Sequence, residues 1–177
     1  MLDERADKTS GRHVPMDVDE EEAQPVTENS PIYFYDRDKP YYEFTNFSHH
    51  AIEYHGQKYP TAEHLFQTHK FLPHHPELAS TIRNQSSASL ARQEANRLRR
   101  LQRSDWFDIN ISIMDFVLTL KFEQHPDLRA SLVDTAGREL IEDSPDDVFW
   151  GIGKDGSGRN ELGKALMRVR DKLVVDK

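Results

Sequence analysis

Glu63 and Lys70 stand seven residues apart in the stretch PTAEHLFQTHKF, Pro60 to Phe71. Read as a helix at about 100° per residue, it gathers Ala62, Leu65, Phe66, His69 and Leu72 on one arc and stacks Glu63, Gln67 and Lys70 into a narrow stripe beside it. Seven residues of helix span about 10 Å. The carboxylate and the amine can therefore grip two parts of one small ligand instead of simply pairing with each other. A carboxylate supports developing positive charge or moves a proton, and an amine binds anions or, once burial has drawn off its proton, attacks an electrophilic carbon. The same stripe is also what the solvated edge of an ordinary amphipathic helix presents.

The second chemically rich stretch is DDVFWGIGKDGSGRNELG, Asp146 to Gly163, with glycines at 151, 153, 156, 158 and 163. Gly151, Gly153 and Gly156 match GxGxxG, but a dinucleotide fold needs a full buried strand in front of them, and only Val148 to Trp150 is there. What remains is a glycine-rich loop whose backbone N–H groups can face a ligand, leading through Asn160 as a cap into a helix from Glu161 to Leu173. A tight surface loop is the plain alternative. Arg97, Arg99, Arg100 and Arg103 form a basic cluster that reads either as a solvated helix end or as an anchor for phosphate. Trp106 offers a flat face for stacking a base or, equally, a core plug, and Asn46 lies between the hydrophobic anchors of an aromatic-rich segment, Tyr41 to Phe47.

The elements that must position these groups are mostly helices. Ile32 to Tyr35 has strand character, and Ala51 to Tyr54 with Gln57 to Tyr59 reads as a hairpin turned at Gly56. After the central helix, Pro73 and Pro76 punctuate the chain, and further helices are expected over Pro76 to Ile82, Ser86 to Arg100, Phe107 to Gln124 and Pro126 to Val133. In the long one, Ile109, Ile113, Phe116, Val117 and Leu120 recur at helical spacing. Glu139 to Glu142 is a brief strand or extended link.

Residues 1–30 hold nine acids against three bases and few large apolar groups, the composition of a disordered acidic tail, or of an arm that binds partners through its charge. Residues 31–177 form the folded domain, with 22 acids and 20 bases. So even a balance argues against a surface that grips long nucleic acid by bulk charge. With no cysteine there is no disulfide, thiolate site or thiol nucleophile. The nine histidines do not reproduce an HExxH-type pair, so no metal is expected. No membrane span or signal peptide is read, which places the chain inside the cell, cytoplasmic or nuclear.

In order and spacing, FTNF (Phe44 to Phe47), YPTAEHLFQTHKF, Asp105-Trp106, MDFVLTLKF (Met114 to Phe122), LVDTAGRELIE (Leu132 to Glu142) and the glycine loop resemble the NADAR or YbiA-like family. The resemblance covers residues 31–173. Thr45 stands where the family's LSNF has serine, and His49-His50 where its proline falls. It implies a mainly α fold (α+β with a small antiparallel sheet) and an N-glycosidase that cuts between ribose C1 and a base-like nitrogen, with no metal and no redox cofactor. The substrate is then a small nucleotide-like molecule, either a ribosylamino-pyrimidine phosphate of the riboflavin pathway or ADP-ribosylated guanine of nucleic acid; for the latter, the nearly neutral domain leads us to expect single-stranded or small substrates.

Such a bond breaks with positive charge on the sugar, so a carboxylate belongs near C1. Glu63 is the candidate. Lys70 either attacks C1, giving a Schiff base with the opened ribose, or binds phosphate and steadies Glu63. Asp147 matches the family's acid before the loop and is the third candidate catalytic group, with Asp146 adjacent. Asn46, Trp106, Trp150, Gly151, Gly153 and Asn160 are the candidate substrate-binding residues. Two rivals stand beside this reading: a module that binds ADP-ribose or a nucleotide without cutting it, and an adaptor acting through the acidic tail.

Overall fold

A computed structural model of the protein describes residues 29–175. The expected acidic tail lies outside them but for its last two positions. The elements are β1 (Ile32–Phe34), β2 (Ile52–Tyr54), β3 (Gln57–Tyr59), α1 (Ala62–His69), α2 (Pro76–Arg83), α3 (Ala88–Arg97), α4 (Trp106–Gln124), α5 (Pro126–Val133), β4 (Leu140–Glu142) and α6 (Glu161–Val175). Helices dominate, so the fold is α+β with small sheets. Short 3-10 turns at Tyr42–Phe44 and Arg99–Leu101 complete it.

The boundaries follow local chemistry. Thr61 caps α1 by accepting the His64 N–H, Ser87 caps α3 by accepting that of Leu90, and prolines open α2 and α5 where no donor is missed. β2 and β3 pair antiparallel around His55-Gly56, both in left-handed backbone, as the hairpin reading anticipates. The second pairing departs from the expected antiparallel sheet: β1 and β4 run parallel, Ile32 opposite Leu140 and Phe34 opposite Glu142. A three-residue strand whose partner lies at the other end of the domain leaves no local pattern to read.

α4 is the spine. It packs on α6 through Met114, Val117, Leu118 and Phe122 against Leu162, Leu166 and Val169, with Phe34, Phe44 and Leu65 closing the core. The stripe expected on α4 is displaced. Of Ile109, Ile113, Phe116, Val117 and Leu120 only Val117 is buried, the others being half-buried at the edge of the core. The buried face instead carries Asn110, Met114 and Lys121. α4 is apolar on nearly every side, so periodicity does not choose the face, and a buried lysine disguises the right one. A smaller cluster of Phe71, Ala79, Ile82, Ala91 and Ala95 joins the end of α1 to α2 and α3. No helix among the described residues is long and apolar enough to cross a membrane.

Candidate active site

All eight residues of α1 are buried, its polar stripe included. The solvated-edge reading of Glu63 and Gln67 therefore fails: these side chains line a cleft of about 900 Å³ between α1, α3, α4, the end of β4 and the glycine loop. Desolvating a carboxylate this far needs compensation. Two amides supply it: Gln67 Nε2 donates to Glu63 Oε1 at 2.7 Å and Asn46 Nδ2 to Oε2 at 3.5 Å, while the Glu63 N–H bonds the Asn46 carbonyl at 3.0 Å. Burial still raises the Glu63 carboxyl above the ordinary range, against the pull of Gln67, Lys70, Arg92 and Asn46.

Lys70 follows the last turn of α1 and points its ammonium over Trp106, 5.5 Å from the ring centroid. Burial lowers its pKa from the usual lysine value, Glu63 opposes that, and Arg99 and Arg92 add to it. An amine so placed reaches its neutral, nucleophilic form more readily than a surface lysine. Trp106 itself is only 4% exposed. It meets Phe66 edge-on at 5.1 Å, as does Trp150 at 5.4 Å, so the two tryptophans are linked along the cleft lining through one phenylalanine.

Asp147 lines the cleft, and its Oδ1 takes the N–H groups of Phe149 and Trp150 at 2.9 and 2.7 Å. Asp146 lies on the lining beside it. Asn46, Glu63, Lys70, Trp106, Asp147 and Trp150 thus share one cavity. Gly151, Gly153 and Asn160 do not line it. The loop's N–H groups, expected to face a ligand, are spent internally: Ile152 N–H bonds the Glu142 carbonyl, Gly153 that of Ser144, Gly158 that of Ile152 and Asn160 that of Gly151. Gly151 lacks a side chain because a Cβ would stand 2.8 Å from the Glu142 carbonyl oxygen. Asn160, in left-handed backbone, accepts the Glu142 N–H at 2.9 Å and donates to the Leu140 carbonyl at 2.8 Å, joining β4 to the start of α6. Gly151 and Asn160 thus pack against and bond the main chain of Glu142, while Gly153 ties the loop to Ser144.

Other groups in the cleft escaped the sequence reading. Arg37, Arg92 and Asn96 line it beside Arg99, the one member of the expected basic cluster that does. The spacing of four and three residues from Arg92 through Asn96 to Arg99 was the available signal; grouping by adjacency joined Arg99 instead to Arg97 and Arg103, which pair with Glu94 and Asp105. Glu142 reaches the cleft from the end of β4, and nothing local marks it. Every buried side-chain polar atom without a partner among the described residues belongs to a residue of this lining: Thr45 Oγ1, Asn46 Oδ1, Gln67 Oε1 and Glu142 Oε2. Unpaired buried polar atoms are rare and costly in a finished core. Gathered around one concavity, they mark it as the part of the interior that is not finished as an ordinary core.

Lys121 secures the loop that brings Asn46. Fully buried, it donates to the carbonyls of Glu43 and Thr45 at 2.6 and 2.8 Å and to Ser48 Oγ at 2.8 Å. Burial pushes its ammonium down to about 7, opposed by three acceptors that use all three donors of the charged form. Lys121→Met removes three donations to the Glu43–Ser48 turn, leaving its two carbonyls to the Ser48 hydroxyl and N–H, and is expected to cost roughly 2 kcal/mol, or about 4–8 °C in melting temperature. It should also raise KM as Asn46 loses its seat. Calorimetry with steady-state kinetics checks both.

Fold and cleft together define a small α+β enzyme that holds an amine beside a buried carboxylate in a nucleotide-sized cavity. The chain belongs to the NADAR domain family, whose model matches residues 33–174. It is 36% identical over 162 residues to "N-glycosidase YbiA" of Escherichia coli (strain K12), covering 92% of this chain and all of that one. It is 38% identical over 143 residues to "Riboflavin biosynthesis protein VVA0006" of Vibrio vulnificus (strain YJ016), covering 81% of this chain and 38% of that one. The NMR structure of the E. coli protein YbiA superposes with a TM-score of 0.77 at 35% identity, covering 88% of this chain and 91% of that one.

Proposed function

We propose that the protein is an N-glycosidase acting on a phosphorylated ribosyl compound, with Glu63, Lys70 and Asp147 as its catalytic groups. The observation that carries this reading is the convergence of the unpaired buried polar atoms on the cavity that holds Glu63 and Lys70. The curated relatives named N-glycosidases support the reaction class.

Lys70 Nζ attacks ribose C1, and the base leaves with the electron pair of the C1–N bond. The ring C1–O bond then opens with its oxygen protonated, giving an imine that water hydrolyses to free sugar and amine. Glu63 is the carboxylate beside C1 as positive charge develops there. Asp147 faces the sugar or the base edge. Asn46 and Gln67 hold Glu63, with Trp106 and Trp150 as the apolar walls.

Anion recognition falls to Arg37, Arg92 and Arg99. None of the three guanidinium groups makes an ion pair or hydrogen bond among the described residues, whereas Arg97, Arg103, Arg159, Arg168 and Arg170 are all paired with carboxylates. Unclaimed forks inside a cavity suit phosphate. Two substrates fit this chemistry: a ribosylamino-pyrimidine phosphate, favoured by the name of the Vibrio relative, and ADP-ribosylated guanine, favoured by the number of free arginines. Incubating the protein with each in turn separates them. Release of ribose 5-phosphate alone assigns the first, release of ADP-ribose alone the second. Binding of either without release makes the cleft a reader.

A further inference from the structure

Glu142 ends β4 inside the cleft, and the steps above make no use of it. Its Oε2 is buried and meets no donor among the described residues. The main chain around it is fixed, N–H to Asn160 and carbonyl from Ile152. The charges acting on the carboxyl are Asp147 from the glycine loop, Glu63 from α1 and Arg92 from α3, while β1 and α6 meet its strand through Phe34 and Asn160. Two of the three charges are negative.

Glu63, Asp147 and Glu142, which share the cleft with Asp36 and Asp146, are thus held differently. Glu63 accepts two side-chain amides and has Lys70 and Arg92 near it, all of which favour its anion. Asp147 has one oxygen committed to the turn at Phe149 and Trp150. Glu142 has no donor, so an anion there would be buried without compensation, and the carboxylic acid is the cheaper state. Burial, then Asp147 and Glu63, push it up to about 8. In that state the carboxyl carries an O–H, a hydrogen-bond donor at the lining of the cleft.

We propose, resting on the N-glycosidase reading, that Glu142 is the general acid of this cleft and gives its proton to the base nitrogen as that nitrogen leaves ribose C1. The electron pair of the C1–N bond goes to the nitrogen, the Glu142 proton caps it, and the lone pair of Lys70 Nζ forms the new bond to C1. One proton of the resulting secondary ammonium returns through solvent to the Glu142 carboxylate, which restores the acid. Labour is then divided by environment, Glu63 supplying charge and Glu142 the proton.

The test compares wild type with Glu142→Gln from about pH 5 to about pH 10 on whichever of the two substrates the wild type cleaves. Wild-type kcat should fall as the pH rises past about 8. Glu142→Gln should lose about a hundredfold in kcat near neutral pH with KM little changed, and should no longer show that fall; Glu142→Asp should recover part of the rate. Melting temperatures give a reading independent of turnover. The folded protein keeps this proton up to about 8, while the free carboxyl releases it near 4.5. The stabilisation is therefore full at low pH and drains away as the pH rises through that window, so Glu142→Gln should match wild type near about pH 5 and melt higher near about pH 9. A kcat within a few-fold of wild type, a rise in KM alone, an alkaline fall that survives the substitution, or no melting advantage at high pH each overturns the assignment and leaves the N-glycosidase reading standing. A wild-type protein that cleaves neither substrate overturns both.

Discussion

Lys70→Arg is expected to reduce turnover by at least about a thousandfold while the protein folds normally. Arginine keeps the positive charge, the reach and the stacking on Trp106, yet its guanidinium stays protonated at any working pH and forms no imine. The substitution therefore separates the two roles open to this residue. A lysine that only holds phosphate or steadies Glu63 should be replaced with a loss of tenfold or so. A nucleophile should not. Borohydride added during turnover makes the distinction direct: it should fix a ribosyl adduct on Lys70 in the wild type, read by mass spectrometry, and none in Lys70→Arg. Recovery of near-normal turnover by the arginine variant, or no trapped adduct in the wild type, moves Lys70 from chemistry to binding. Because the amine must be neutral to attack, the wild-type rate should also rise with pH on the acid side of its optimum, the reverse of the limb assigned to Glu142.

Glu63→Gln should lower kcat by about a hundred- to a thousandfold. The amide fills the same space and removes the negative charge that meets the developing cation at C1. Little should change in stability, because a carboxylate desolvated this thoroughly contributes poorly to folding; the cost is confined to one lost donation, from Gln67 Nε2 or Asn46 Nδ2. Paired kinetics and thermal melts check it. Near-normal turnover in a well-folded variant would shift the carboxylate's role to Asp147.

The helices were legible in the sequence because prolines, capping hydroxyls and apolar spacing mark them locally, and the Glu63 to Lys70 stripe was legible because both groups sit on one helix. What was hidden depends on contacts between distant segments. The burial of Glu63 is created by Asn46 and by walls from α3 and the glycine loop, so no reading of α1 alone separates a solvated edge from a cavity floor. Glu142 owes its place to a parallel strand pairing and to Asn160, which sequence reasoning had assigned to the ligand. The glycines of the loop were correctly seen as a special backbone, but the role of Gly151 and Gly163 is close packing on β4. Arg92 was lost for a simpler reason: arginines were grouped by adjacency along the chain when helical spacing was the relevant measure.

The parallel pairing of β1 with β4 bears on how the protein is made. Translation delivers Ile32–Phe34 first and Leu140–Glu142 only after nearly the whole domain has emerged, and chains are synthesised at about 5–20 residues per second. For those seconds the N-terminal strand waits with its apolar Ile32 and Phe34 unburied. The strand end bearing Glu142 cannot settle until its partner is found, so the nascent chain reaches a complete cleft only once the domain through α6 has emerged. No shorter fragment that starts at β1 holds the finished site.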